Sequence, residues 1–438
     1  MNNCSARLIV LLVAVLTPVF LALFFIHHYG VNVPHWDQWE FVALLEKVYA
    51  GNFSAADLFA QHNEHRLIFP KLFMLLLAAA SDYNTLIEMY FGWLLLVLSG
   101  VVIFNSYRRS FGWSQSAVLK FLPVPWLLFS WCQYENLLWG WQVTFFMTAL
   151  AAVLTHSLLD SSRALDRYFV VAIFCAIVAS FSNSNGLLVW PIGLLQLWTG
   201  RKPERLSRSS ESVWIFAAAC VGILYFIDYA KPQSHPSLLH VFTSPGSVLR
   251  YFLTVLGSPL AVKRGMALGV GIWIAALGIS IYIVEFRNAA KIAVTFWDAL
   301  ILFALLSCLM LAVGRAGFGV GQALASRYTT FTLLGVVGLY VKSLEPFSAP
   351  GKFPIVIRLA LLCLIVQGLG VALFHGATKA NAMRASRQAS VDLLRHLESQ
   401  ADQPVSKFLY PSPQRVRQLT PFLQKQKLSV FSRADALR

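Results

Sequence analysis

The sequence predicts an all-α polytopic membrane protein, with about eleven transmembrane helices and amphipathic juxtamembrane helices in the first outer loop. Three observations predict it. The 438 residues are 57% hydrophobic and only 13% charged, where a soluble domain carries about 25% charged residues. Several apolar runs reach about 18 residues, long enough to cross a bilayer. The short alternating segments of a transmembrane barrel are absent from the sequence, so the spans are expected to satisfy their backbone hydrogen bonds as helices.

The apolar runs lie at 8–27, 86–106, 115–131, 141–159, 168–183, 186–200, 212–229, 267–285, 292–313, 329–345 and 355–376. The first follows Arg7. It is too long for a cleaved signal and no small-x-small site follows it, so a retained first span is expected. The run "LIFPKLFMLLLAAA" at 67–80 is short for a crossing and holds Pro70 and Lys71. It is read as a partly embedded helix on the outer side, which leaves Arg108 and Arg109 facing the cytoplasm. The segments then assigned to the cytoplasm, among them "GRKPERLSR" at 200–208 and "EFRNAAK" at 285–291, are the richer in Lys and Arg. That bias predicts a cytoplasmic N-terminus in a multi-pass membrane protein. "YFLTVLGSPLAVKRG" at 251–265 is a second outer interfacial helix or a short crossing.

The transmembrane domain is thus expected over 1–376, with its first outer loop and juxtamembrane helices at 29–80. A polar, proline-containing tail at 377–438 is expected outside as a small helical appendage. "ASVDLLRHLESQ" and "SPQRVRQLTPFLQKQ" in it have the pattern of short amphipathic helices.

Net charge is +15. The basic residues sit mostly in short loops and in the tail, where topology and the anionic headgroups of the lipid bilayer explain them. No RNA- or DNA-binding pattern is present, so no nucleic-acid partner is expected. The six cysteines are scattered without a CxxC pair, which indicates neither a disulfide framework nor a zinc site.

The first outer loop opens on "HWDQWE", His35 to Glu40. Phe41, Leu44, Leu45 and Val48 then form one helical stripe that Gly51 ends. Asp37 and Glu40 fit the N-cap and N3 positions of an acidic capping box, which needs no chemistry. Ser54 and Asp57 open a second helix. "HNEHR" follows: His62, Asn63, Glu64, His65 and Arg66. It is read either as a solvated turn or as a polar cluster placed at a membrane edge for function.

The order is span, acidic residue, two surface helices, second acidic cluster, embedded helix, span. This layout over roughly the first 110 residues resembles the GT-C superfamily of membrane glycosyltransferases, which use polyprenyl-phosphate-linked sugars. The resemblance implies a catalytic acid in the first outer loop, with Asp37, Glu40 and Glu64 as the candidates. Gln38 follows Asp37 here, where the family commonly has two adjacent acids.

Three further polar sets are expected at the outer face. "CQYENLLWGWQ" holds Glu135, Asn136, Trp139 and Gln142; "FSNSNG" holds Asn183 and Asn185; "GRAGFGVGQALASRYTT" holds Arg315, Arg327 and Tyr328. Polar groups beside spans are expensive and usually face a cavity or a partner. Aromatic faces beside amides and carboxylates also suit a sugar, and a guanidinium suits a phosphate. Aromatic belts, helix caps and snorkelling arginines are the plainer readings of the same residues. His62, Asn63, His65, Arg66 and Lys71 complete the expected substrate-binding set. No cofactor is certain, and a divalent cation (Mg or Mn) could bridge phosphates through the acidic residues. The expected partners are a polyprenyl-phosphate sugar donor and an extracytoplasmic glycan, lipid or protein acceptor. A lipid-linked glycan transporter or flippase, and an O-antigen polymerase or ligase-like enzyme, are the alternatives.

Overall fold

The structure, a computed structural model, describes residues 3–432 except 163–164, 201–207, 233–235, 238, 289–292 and 346–352. The described residues are helical almost throughout, with one two-stranded hairpin among them. α1 (Asn3–Tyr29) leads into α2 (Gln38–Tyr49) and the single-turn α3 (Ala55–Phe59). The hairpin β1 (Gln61–His62) and β2 (His65–Arg66) follows, pairing His62 with His65. α4 (Ile68–Ser81), fourteen residues long, then precedes α5 (Thr85–Phe111).

The run at 115–131 is not one straight rod. It forms α6 (Gln115–Phe121) and α7 (Pro123–Leu128), because Pro123 has no N–H to continue the ladder. The single-turn α8 (Tyr134–Leu137) stands before α9 (Val143–Ser161). Next come α10 (Arg167–Ser180), α11 (Val189–Thr199) and α12 (Arg208–Phe226). α13 (His240–Thr243), α14 (Pro245–Gly257), α15 (Arg264–Asn288), α16 (Phe296–Arg315) and α17 (Thr329–Leu344) continue the bundle. α18 (Phe353–Arg395) is the longest helix; α19 (Asp402–Phe408) and α20 (Pro413–Gln426) close the chain.

Seven helices are long and apolar enough to cross a membrane among the described residues: α1, α5, α9, α12, α15, α16 and α18. Their outward faces carry Phe216 at 71% and Phe374 at 79% exposure, which water would penalise and lipid covers. α10 and α11 reach only about 21 and 16 Å at 1.5 Å per residue, short of the ~30 Å hydrocarbon core. The backbone between them turns inside the protein, where Ser182, Asn183, Ser184 and Asn185 are buried. Irregular backbone at such depth is tolerated where protein or a cavity surrounds it.

There are two apolar cores. The larger fills the bundle around Phe146, Phe169, Trp214, Trp297 and Phe331. The smaller joins the first loop to the tail: Trp39, Phe41, Val42 and Leu45 pack with Leu394, Val405, Leu409, Val416, Leu419 and Leu423. Residues 377–432 therefore do not hang free. α18 runs unbroken through 376, and the stretch from Leu394 to Val430 supplies about half of the second core.

Candidate functional site

The first loop presents Asp37 by fixing every residue around it. Trp36 takes a left-handed backbone (φ 48°), unusual for so bulky a residue. Its N–H donates to Leu409 O at 2.8 Å, and His35 Nδ1 donates to Phe408 O at 3.2 Å. Gln38 is buried; its amide accepts from His35 N–H and donates to Glu88 Oε2 at 2.6 Å. Trp39 is fully buried. A Cβ on Gly140 would stand 2.1 Å from that Glu88 oxygen, so only glycine fits there.

The capping box expected at Asp37 and Glu40 does not form. Asp37 caps nothing, because its own backbone is already helical at φ −57°, ψ −18° and its side chain is turned away from the α2 amides. Glu40 instead accepts from Tyr410 Oη at 2.9 Å and pairs with Arg415 at 3.2 Å. Burial and then Glu40 push the Tyr410 phenol above its ordinary pKa, so it stays a donor. At α3 the box is real: Ser54 N–H donates to Asp57 Oδ2 at 2.9 Å.

Asn63 turns the hairpin with φ 49°, a conformation asparagine tolerates. The turn sets His62 Nε2 at 3.7 Å from Asp37 Oδ1, with the His62 ring against Trp141. Glu64 forms an ion pair with Arg315, and His65 Nε2 lies 3.7 Å from the same oxygen. Ser184 N–H donates to His65 Nδ1 at 3.1 Å, so the neutral ring carries its proton on Nε2, toward Glu64. Burial opposes ionisation of Glu64, but His65 and Arg315 hold its carboxyl down at about 2. Burial pushes His65 to about 4, against the pull of Glu64 and with the push of Arg315. His65 is thus neutral at neutral pH, and Arg315 is the cation that keeps Glu64 ionised.

These residues face one cavity of about 630 Å³. Asp37, His62, Asn63, Glu64 and His65 make one wall, with His35 and Trp36 beside them. Glu135, Trp139, Gln142 and Asn183 line it from the bundle, as do Arg315, Arg327 and Tyr328. Trp139 is positioned by its indole N–H, which donates to His35 O at 3.2 Å. Arg327 is tied to Glu135: its backbone N–H reaches Oε2 at 2.9 Å and its guanidinium lies 3.5 Å from Oε1. Gln142 Oε1 is buried without a hydrogen-bond donor among the described residues.

Five of the expected residues lie elsewhere: Glu40, Arg66, Lys71, Asn136 and Asn185 are not on this cavity. Arg66 is buried and spends its guanidinium on the carbonyl oxygens of Phe59, Tyr225 and Ile227. Lys71 donates to the carbonyls of Asp57 and Ala60 at 3.0 and 2.9 Å, closing the C-terminus of α3. Both cations hold backbone in place. Asn136 links Arg327 O and Thr330 at 2.9 and 2.7 Å. Asn185 lines a neighbouring, largely apolar cavity of about 530 Å³, which shares Glu64 and Arg315 with the first.

The fourth wall was not expected from the sequence. Lys379, Ala382, Met383, Ser386 and Arg387 of α18 line the cavity. Their spacing of i, i+3, i+4, i+7 and i+8 is one helical face; a reading that continued the helix beyond the last apolar run would have found it. Among the described residues no three His, Cys, Asp or Glu side chains form a metal-holding group. Asp37 and His62 approach each other, whereas the oxygen of Glu64 is committed to Arg315.

No protein-family model, no curated protein and no solved structure matches this chain.

Proposed function

We propose that this chain is a GT-C-type glycosyltransferase of about eleven spans, acting at the outer face of an inner membrane. The observation that carries the reading is the treatment of Asp37. Gln38, Trp39 and the Trp36 backbone beside it are anchored, yet among the described residues the Asp37 carboxylate pairs with nothing beyond the His62 ring at 3.7 Å, and it lines a polar cavity. In this reading α1 crosses the bilayer, which puts the N-terminus and the cavity around Asp37, eight residues past the end of α1, on opposite sides.

In this reading Asp37 takes the proton of the acceptor hydroxyl while that oxygen attacks the anomeric carbon. Glu64 is the poorer base, because a carboxyl held at about 2 has little affinity for a proton. Trp139 offers a face to a sugar ring, and the unpartnered Gln142 Oε1 accepts from a hydroxyl. The departing lipid phosphate develops charge that cationic side chains of the cavity stabilise. One displacement inverts the anomeric centre. The donor is a polyprenyl-phosphate sugar, and the acceptor a glycan, lipid or protein of the outer side.

The test is sugar transfer from a polyprenyl-phosphate donor by the full chain in vesicles. Asp37→Asn is expected to lose about 10²- to 10⁴-fold in rate with its melting temperature kept. Undiminished transfer by that variant would remove Asp37 from the chemistry. Coupled movement of a lipid-linked glycan with no bond made would favour a transporter.

A further inference from the structure

The cavity holds three arginines, and they are not equivalent. Arg315 and Arg327 have their charges balanced by Glu64 and Glu135. Arg387 does not. It is 9% exposed, it lines the cavity, and among the described residues no carboxylate pairs with it and no acceptor takes its protons. Glu135, the carboxylate that acts on it through space, is already paired with Arg327. A buried cation without a counter-charge is expensive and persists where a ligand supplies the missing charge.

Its place on α18 says which kind of ligand. The helix carries exposed apolar side chains as far as Phe374. Lys379, exposed, comes about one turn later, and Arg387 about two turns beyond that at 3.6 residues per turn. Lys379 therefore stands where the phosphate of a membrane lipid lies, and Arg387, about 20 Å along the helix from Phe374 at 1.5 Å per residue, faces the cavity beyond it. A guanidinium also offers two parallel N–H donors to one phosphate.

We propose that Arg387 is the anion seat of the cavity and holds a phosphate group, with Lys379 at its mouth. The proposal rests on the reading of the cavity as a site for a lipid-linked sugar, and moves the phosphate from the loop arginines to the C-terminal helix. Arg315 and Arg327 then shape the pocket around it through their own carboxylates.

The test is binding, which needs no sugar transfer. The full chain in detergent is titrated with undecaprenyl phosphate, with the uncharged polyprenol and with inorganic pyrophosphate. R387Q is expected to bind undecaprenyl phosphate about 10- to 100-fold more weakly, with polyprenol binding unchanged. Its melting temperature without ligand should equal or exceed that of the wild type, because a lone buried charge has gone. R387K should lose several-fold, since an ammonium cannot make the two-pronged contact. Arg387-dependent binding of pyrophosphate without binding of the lipid would keep the seat and assign it to a soluble phosphate. Wild-type affinity for undecaprenyl phosphate and pyrophosphate in both variants would overturn the seat, as would a lowered melting temperature in R387Q with binding retained. Arg387-dependent binding by a chain that transfers no sugar keeps the seat and loses the glycosyltransferase reading. Full sugar transfer by R387Q does the reverse.

Discussion

Away from the cavity, at the other end of α16 and α17, Lys342 sits with its side chain 2% exposed among Glu285, Asp298 and Glu345, at 3.0, 3.1 and 3.5 Å. Tyr282 and Thr295 also donate to Asp298, at 2.7 and 2.6 Å. The cation is more than matched, and the cluster ties α15, α16 and α17 together. About 26 Å along α16 from Asp298, at 1.5 Å per residue, the cavity end differs. Glu64 and Glu135 have their arginines there, but among the described residues Asp37 and Arg387 face the cavity with no ion-pair partner beyond the His62 ring 3.7 Å from Asp37. Lys342 and Arg387 are both buried cations, while Asp37 is partly exposed to the cavity. Matched charge at one end reads as packing, and the surplus at the other reads as function.

Substitution separates the two ends most strongly. Asp37→Asn should remove about 10²- to 10⁴-fold of the transfer rate and leave the melting temperature. Lys342→Met should do the opposite. It leaves three carboxylates crowded without their cation, which costs about 3–5 kcal/mol of stability, read as a lower melting temperature and yield. An active, stable K342M would mean that the far cluster is not the packing device described.

The helical, membrane-type character and the first-loop helices were legible because apolar periodicity survives whatever the chain does at its ends; the number of spans was not, since short or broken runs such as 115–131 and 186–200 look like crossings in sequence. The gathering of Asp37, His62, Glu64 and Glu135 with Arg315 and Arg327 was legible too, since polar residues beside spans have few places to go. Arg66 and Lys71 misled because sequence does not show whether a cation meets a ligand or a carbonyl. Asp37 misled in the other direction: its spacing to Glu40 is that of a cap, and only the helical backbone at 37 turns the carboxylate away. The α18 wall stayed hidden because the polar residues after 376 looked like the start of a tail rather than one more face of the same helix.

The hairpin predicts a pH signature. The His65 imidazole falls from 6.5 unfolded to about 4 folded. Between those values the unfolded chain binds the extra proton, so stability is full above pH 6.5 and drops toward pH 4, by up to about 3 kcal/mol. Glu64, lowered from 4.5 to about 2, adds a second loss as pH falls through that lower window. His65→Gln should flatten the melting-temperature profile between pH 6.5 and 4 and leave the lower limb. A profile unchanged by H65Q would place the acid sensitivity elsewhere.

The smallest expected effect tests the link between the tail and the first loop. Tyr410 donates to Glu40 at 2.9 Å from the turn after α19, next to Leu409, whose carbonyl holds Trp36 in its left-handed backbone. Tyr410→Phe keeps the ring and removes one hydrogen bond to a partly exposed carboxylate, a loss of about 1 kcal/mol. Arg415, on the other Glu40 oxygen at 3.2 Å, still holds α2 to α20. The expected result is a slightly lower melting temperature with transfer reduced only a few-fold, because the Leu409 bond continues to aim Asp37. A collapse of transfer as deep as that expected of D37N, at unchanged stability, would mean that the Tyr410–Glu40 contact is part of the chemistry and not only a tie between the tail and the first loop.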